Sequence, residues 1–407
     1  MDVYRQAVDN APVLKAAAAE RMAKREVLPQ SRSLWLPRLD LNAAVAENRW
    51  EPRSGPSDDY RSQNWGIRVT QTLYNRSAGI QLEQAEKRVK LADVHYDAAR
   101  LSLMLEVSRR YFAVLAARDT LEVTLTEKVA VKRQLEQAQK RFEVGVSAIT
   151  DVREAQARYD GVISREIVAR NRLDSAKEAL QELTGVEVAD LSTLVQEFPL
   201  HPPVPEDIEA WEQIARDNNQ QISAARYAYR IAAAEMKKQS AARYPSLSLI
   251  GSYQRSESEA ERFVDNDLAA LTLQLDLPLY RGGDISSRVR QAGHQYRQAE
   301  DELERVLRST LRTTRDAYRN VIASIARVEA LGRSLVSSQT ALKATEAGFE
   351  AGTRTIVDVL NAQQMLFQTQ RDYANARYDY LVAMLALRQA AGTLEVGDLE
   401  KINQWMN

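Results

Sequence analysis

The chain has 407 residues, with 55 lysines and arginines against 56 aspartates and glutamates, so its net charge of −1 offers no field that would favour nucleic acid. Cysteine is absent, which excludes disulfides, thiolate zinc sites and cysteine nucleophiles together. No apolar run approaches the ~18 residues of a membrane-spanning helix, but a membrane β-barrel, whose strands alternate in polarity, escapes that test.

The chain opens at Met1-Asp2 without a signal peptide, which is silent on localisation for a mature form. Eleven prolines, at 12, 29, 37, 52, 56, 199, 202, 203, 205, 245 and 278, leave 57–198 and 279–407 free for long helices. A short helix is predicted over 11–34. The period then changes from 3.6 to 2: Leu39, Leu41, Ala43 and Val45 alternate with Asp40, Asn42 and Ala44, giving a strand over 38–50. Trp65, Ile67 and Val69 give a second over 64–74, after a polar link at 51–63. A helix over 77–142 follows, about 100 Å long at 1.5 Å per residue. Met104, Val107, Tyr111 and Val114 are spaced on it as a coiled-coil seam requires. After the tip VGVSAIT, with Thr150 as a candidate N-cap, comes a helix of about 50 Å over 150–183, with Gly185 at its C-terminal cap.

The order then repeats. A helix is predicted over 218–243, strands over 246–256 and 267–280 with a polar link at 255–266, and a long helix over 284–349. Ile325, Val328, Leu331 and Leu335 form its seam, Thr355 is the candidate N-cap after the tip AGTRTIV, and a helix over 356–391 ends at Gly392. Each half-length helix is read as stacking on another alongside a long one. FEVGVSAITDVREAQ at 142–156 recurs 207 positions later as FEAGTRTIVDVLNAQ at 349–363, with eight of fifteen positions identical. The chain is a tandem duplication, 1–206 and 207–407.

Four strands of about ten residues have the length of tilted membrane crossings. Two half-buried hairpins of a soluble sheet are the alternative, but no helical face is left over to cover an apolar sheet. An open sheet in lipid exposes unpaired backbone at its edges, so closure needs eight strands from a dimer, twelve from a trimer or sixteen from a tetramer.

Enzyme chemistry finds no support. His95, His201 and His294 are isolated, and no GxSxG, Walker loop or GxGxxG occurs. Gly282-Gly283 reads as a strand-to-helix turn. No cofactor or metal is expected.

The stretches RFEVGVSAITDV, AGTRTIVDVLNAQ, ANARYDYL and AGTLEVGDL resemble the TolC family of outer-membrane efflux and secretion channels, and the resemblance runs over essentially the whole chain. It implies a mostly helical α+β membrane protein, a homotrimer whose twelve-stranded barrel in outer-membrane lipid continues as an α-helical barrel through the periplasm. It implies an equatorial belt from 186–206 and 393–407. The function implied is passive export of drugs, toxic compounds or proteins, by docking to a periplasmic adaptor and an inner-membrane pump of RND, ABC or MFS type. A soluble coiled-coil scaffold, or a channel of this fold dedicated to metal efflux or type I protein secretion, stands as the alternative.

The resemblance also implies site residues. Gln134, Thr150, Asp151 and Arg354 match the polar links that hold the periplasmic entrance shut, and Phe349 replaces the usual tyrosine, so one hydroxyl link is missing. Asp358 matches the first aspartate of a cation-selective constriction, and Asn361 stands where the second is usual. Gly145, Val146 and Ser147, with Gly352, Thr353 and Arg354, form the tips that an adaptor would contact. The plainer readings are a helix-start role for Asp151, a solvated Arg354, and a surface Asp358 paired with Arg354 at i+4.

Overall fold

The computed structural model describes the whole chain except residues 55, 188–190, 196–197, 261–264 and 407. It divides into two compact units, and these cut across the sequence repeats. One comprises Met1–Ala18, Tyr96–Ile222 and Val306–Asn407; the other comprises Ala19–His95 and Ser223–Arg305. The reason is local: each repeat gives one hairpin, with the helical segments that flank it, to the unit of the shared sheet and its other helical segments to a shared helical core.

The second unit holds the sheet. Strands β1 (Arg38–Trp50), β2 (Asp58–Asn75), β3 (Ser246–Ser258) and β4 (Asn266–Asp276) pair antiparallel in that order, so β2 and β3 join the two repeats. The register sets Leu41 opposite Ile67, Ile67 opposite Tyr253, and Gly251 opposite Leu271. Because side chains alternate, this puts Leu39, Leu41, Val69, Leu249 and Leu273 on one face and Asn42, Arg68, Ser252 and Gln274 on the other. The apolar face is uncovered, with Leu41 72% and Leu271 76% exposed. Among the described residues β1 and β4 have no further partner strand. In the same unit Asp93 accepts from Arg21 at 2.7 Å and Arg25 at 3.0 Å. Burial pushes its carboxyl up, but these bonds prevail and hold it below the usual range.

The first unit is a helical core. Met104, Leu105, Phe112 and Leu115 of α4 (Arg76–Glu143) pack with Tyr380, Leu381 and Leu385 of α9 (Ile356–Ala391), and Tyr4 and Ala7 of α1 (Asp2–Asn10) join them. In the seam of α8 (Asp284–Glu350), Val328 is buried while Ile325 and Leu331 are half-buried. α5 (Ile149–Thr184) and α9 both end on glycines in the left-handed conformation, Gly185 at φ 71° and Gly392 at φ 76°. In the two segments expected to form a belt, Leu194 bridges Met406, and Phe198 stacks on Tyr380 and Trp405; residues 188–190, 196–197 and 407 of that expectation lie outside the described residues.

Several boundaries differ from the sequence reading. The helix expected over 11–34 is three: α1, α2 (Pro12–Arg25) and α3 (Val27–Ser33). Proline pushes its predecessor out of the helical region, and Ala11 accordingly sits at ψ 119°. Pro29 likewise cannot continue the ladder from α2. The helix expected from 218 begins at Gln220 as α7 (Gln220–Ala241), and α6 (Ile208–Asn218) precedes it unforeseen, started by the Asp207 side chain on the Glu209 and Ala210 amides. The C-terminal α10 (Val396–Asn403) was also unforeseen. β2 begins six residues before the expected 64, and β4 stops at Asp276 short of 280, where Pro278 cannot donate to a ladder. β2 takes up residues 58–63 of the first expected link and β3 takes up residues 255–258 of the second.

Candidate functional site at the hairpin tips

Both tips lie in the helical unit and are built alike. α4 and α8 each end in a Schellman motif. At the first tip Val146 N donates to Arg141 O at 2.8 Å and Gly145 N to Phe142 O at 2.9 Å; at the second, Thr353 N donates to Gly348 O at 2.8 Å and Gly352 N to Phe349 O at 3.1 Å. Gly145 and Gly352 sit at φ 76° and 75°, and a Cβ on either would meet nothing within 4 Å. The turn therefore needs glycine for its backbone conformation, while the space beside it is free. Val146 is 65% exposed at the first tip, beside a half-buried Ser147. At the second, Thr353 Oγ1 donates back to Gly348 O.

The next helices start differently. Thr355 caps α9: its Oγ1 accepts from the Asp358 amide at 3.2 Å, while Asp358 Oδ2 accepts from Thr355 N and Oγ1, both at 2.9 Å. This is a reciprocal capping box. Thr150 does not cap α5; Ala148 holds that position, without a side-chain bond, and Thr150 lies exposed inside the first turn. The 207-residue offset aligns Thr355 with Ala148, so the spacing itself pointed to 148 rather than 150.

The electrostatic outcome separates two equivalent carboxylates. Asp358 is engaged by its own cap: the Thr355 amide first, then its hydroxyl, hold the carboxyl below the usual range, with Arg354 a weaker influence. That carboxylate bonds to Thr355, not to Arg354. Among the described residues Asp151 has no side-chain hydrogen bond or ion pair, and Arg354 has none either. Gln134 leaves its Oε1 buried without a partner. Phe349 packs on the tip cluster of Val131, Leu135, Ile356 and Leu360, and the Arg141 guanidinium lies 4.7 Å above its ring. The aromatic position thus keeps a polar neighbour without a hydroxyl.

Two features were missed in the sequence. Asn361 does not stand alone beside Asp358: Arg158 of α5 donates to its Oδ1 at 2.6 Å and also bonds Gln364, joining the two repeats. Further along, Glu127 of α4 is buried and accepts from Arg165 of α5 at 2.7 Å and from Arg371 of α9 at 2.8 Å. A signal for Glu127 existed. Thr124, Glu127, Val131, Leu135 and Ala138 are spaced by threes and fours and all are buried, so a carboxylate interrupts an otherwise uncharged seam.

The profile of the outer membrane efflux protein family matches the chain twice, over residues 3–186 and 211–393. The chain is 40% identical to the outer membrane protein TolC of Vibrio cholerae serotype O1, over 99% of this chain and 92% of that protein. It is 30% identical to the alkaline protease secretion protein AprF of Pseudomonas aeruginosa, over 99% of this chain and 86% of that one. Among solved structures, the outer membrane protein VceC of Vibrio cholerae superposes with a TM-score of 0.82 at 20% identity, covering 96% of this chain and 95% of that one. The fold and the double match define a channel protein of the outer membrane. The chain belongs to the outer membrane efflux protein family. It is an efflux and secretion channel of the outer membrane that extends into the periplasm.

Proposed function

We propose that three copies of this chain close a twelve-stranded barrel and form a passive export duct, opened at the hairpin tips when an adaptor and an inner-membrane pump dock. The observation that carries this reading is the sheet: four strands, two free edges and an uncovered apolar face. In lipid those edges must be paired by other chains. Native mass spectrometry of the detergent-solubilised protein is expected to give a trimer. A stable monomer or dimer would remove the architecture. The alternative of a soluble coiled-coil scaffold is disfavoured by the same uncovered face and by the family. Within the duct reading, the resemblance to a protease-secretion protein supports polypeptide cargo beside small molecules.

The tips are the proposed docking surface: Gly145, Val146 and Ser147 on one, Gly352, Thr353 and Arg354 on the other. Bulky substitution at either glycine would strain the turn whatever docks there, because both φ angles are positive. Asparagine tolerates that conformation and still adds side-chain bulk. Gly145→Asn and Gly352→Asn are therefore expected to impair efflux while trimers persist. Unchanged drug resistance for both, in a complemented knockout, would move the docking surface elsewhere.

Asp358 and Asn361 are the proposed constriction. One carboxylate per chain gives a ring of three, and acidic rings favour cations. The capping box holds the Asp358 carboxyl below the usual range, because its bonds to Thr355 stabilise the charged form.

A further inference from the structure

The sequence presents the constriction as one aspartate and one asparagine per chain, a ring of reduced negative charge. The structure adds a cation to it. The Arg158 guanidinium, carried on α5 of the first repeat, reaches α9 of the second and bonds the side-chain oxygens of Asn361 and Gln364. Both partners are neutral amides. Among the described residues no carboxylate pairs with Arg158 within 4 Å, although Glu154 stands one turn earlier on the same helix and Asp160 two residues later, bonded to Gln156. A guanidinium stays protonated at every relevant pH, so its charge is present and no direct partner cancels it.

Asn361 lies three residues past Asp358, one helical turn along α9. Side chains so spaced are ~5–6 Å apart at Cβ. That is well inside a screening length of about 10 Å at 0.1 M salt. An ion passing Asp358 therefore feels Arg158 as well.

We propose that Arg158 is a specificity-determining residue of the constriction, setting three positive charges beside the three Asp358 carboxylates so that the entrance discriminates weakly between cations and anions and admits acidic cargo. The inference rests on the constriction reading given above and deepens it. It also changes what position 361 can do. Asparagine there accepts from the guanidinium without neutralising it; an aspartate would form an ion pair with Arg158 and add little net charge to the ring.

Reversal potentials across planar bilayers under a KCl gradient test this. The unmodified channel is expected to be weakly cation-preferring, and Arg158→Gln is expected to raise the K+/Cl− permeability ratio on the order of threefold, as removal of a cation from a charged ring should. Asn361→Asp is expected to change the ratio little alone and strongly when combined with Arg158→Gln. Arg158→Lys keeps the charge without the two-pronged contact and is expected to preserve the ratio. If Asp358→Asn lowers cation preference while Arg158→Gln leaves the ratio unchanged, the inference is wrong and the constriction stands. If Arg158→Lys shifts the ratio as Arg158→Gln does, packing rather than charge is responsible, and the inference is wrong again. If none of these substitutions, Asp358→Asn included, alters the ratio, the constriction reading itself fails and takes the inference with it.

Discussion

Arg354→Ala and Asp151→Ala are each expected to raise single-channel conductance severalfold and to make cells leak large antibiotics. Neither residue makes a side-chain hydrogen bond or ion pair within its own chain among the described residues, although Asp151 is half-buried and Arg354 lies on an exposed tip. In the proposed trimer the two kinds of hairpin alternate around the entrance, so the arginine of one chain faces an aspartate of the next. A partly exposed pair of this kind contributes ~0.2–1 kcal/mol. Three symmetric copies bias the entrance toward closure by a margin that a docking partner can overcome with a few kcal/mol of differential binding. Phe349 brings no hydroxyl to this lock; it is occupied with Arg141. The ion pair therefore bears more of the closure than it would beside a tyrosine. Exchanging the two charges, Arg354→Asp with Asp151→Arg, is expected to restore closure in part. Single variants that conduct like the unmodified channel would show that this pair is not the gate.

Glu127→Ala is expected to cause the largest loss of stability of any single substitution near the tips. The carboxylate is 2% exposed and serves two cations, Arg371 at 17% exposure and Arg165 at 42%. Removing one member of a buried pair leaves the other charge desolvated, at a cost of ~3–5 kcal/mol. Water can solvate Arg165, so the effect belongs at the low end, about 3 kcal/mol. Glu127 ties α4 to its hairpin partner through Arg165 and to the second repeat through Arg371. Its loss should loosen the two repeats from each other. The denaturant midpoint of the solubilised protein is expected to fall clearly, and the triple change of Glu127, Arg165 and Arg371 to leucine should recover most of it, since an apolar cluster needs no charge balance. A midpoint equal to that of the unmodified protein in Glu127→Ala would mean that the three groups are solvated in the native state.

Much of the fold class was legible because two signals reinforce each other. Prolines confine the long helices, and the period switches to 2 where Leu39, Leu41 and Val45 begin. What stayed hidden depended on single side chains or on partners far away in sequence. Ala11 interrupts a helical pattern because Pro12 follows it, and Glu26 because Pro29, three residues on, has no N–H to continue the ladder from α2. Asp207 starts α6 in a stretch that reads as proline-rich linker. At the tips, the glycines announced the turn, but threonine at 150 outweighed the repeat offset and hid the position of the true cap. Arg158 and Arg371 could not be matched to Asn361 and Glu127, because those pairs are separated by 203 and 244 residues and no periodicity reports such distances.

Asp151 and Asp358 descend from one ancestral position, yet they have been given different duties. The difference is made three residues upstream, where one copy carries a hydroxyl and the other a methyl. Where the hydroxyl stands, the aspartate fastens its own helix. Where a methyl stands in its place, the twin carboxylate has its acceptor oxygens free for a neighbour. Duplication has in this way supplied two hairpins of nearly the same shape, of which the first leaves an aspartate uncommitted and the second an arginine. Six such hairpins set around an axis would look sixfold from their backbones alone, while the forces between them would repeat only three times.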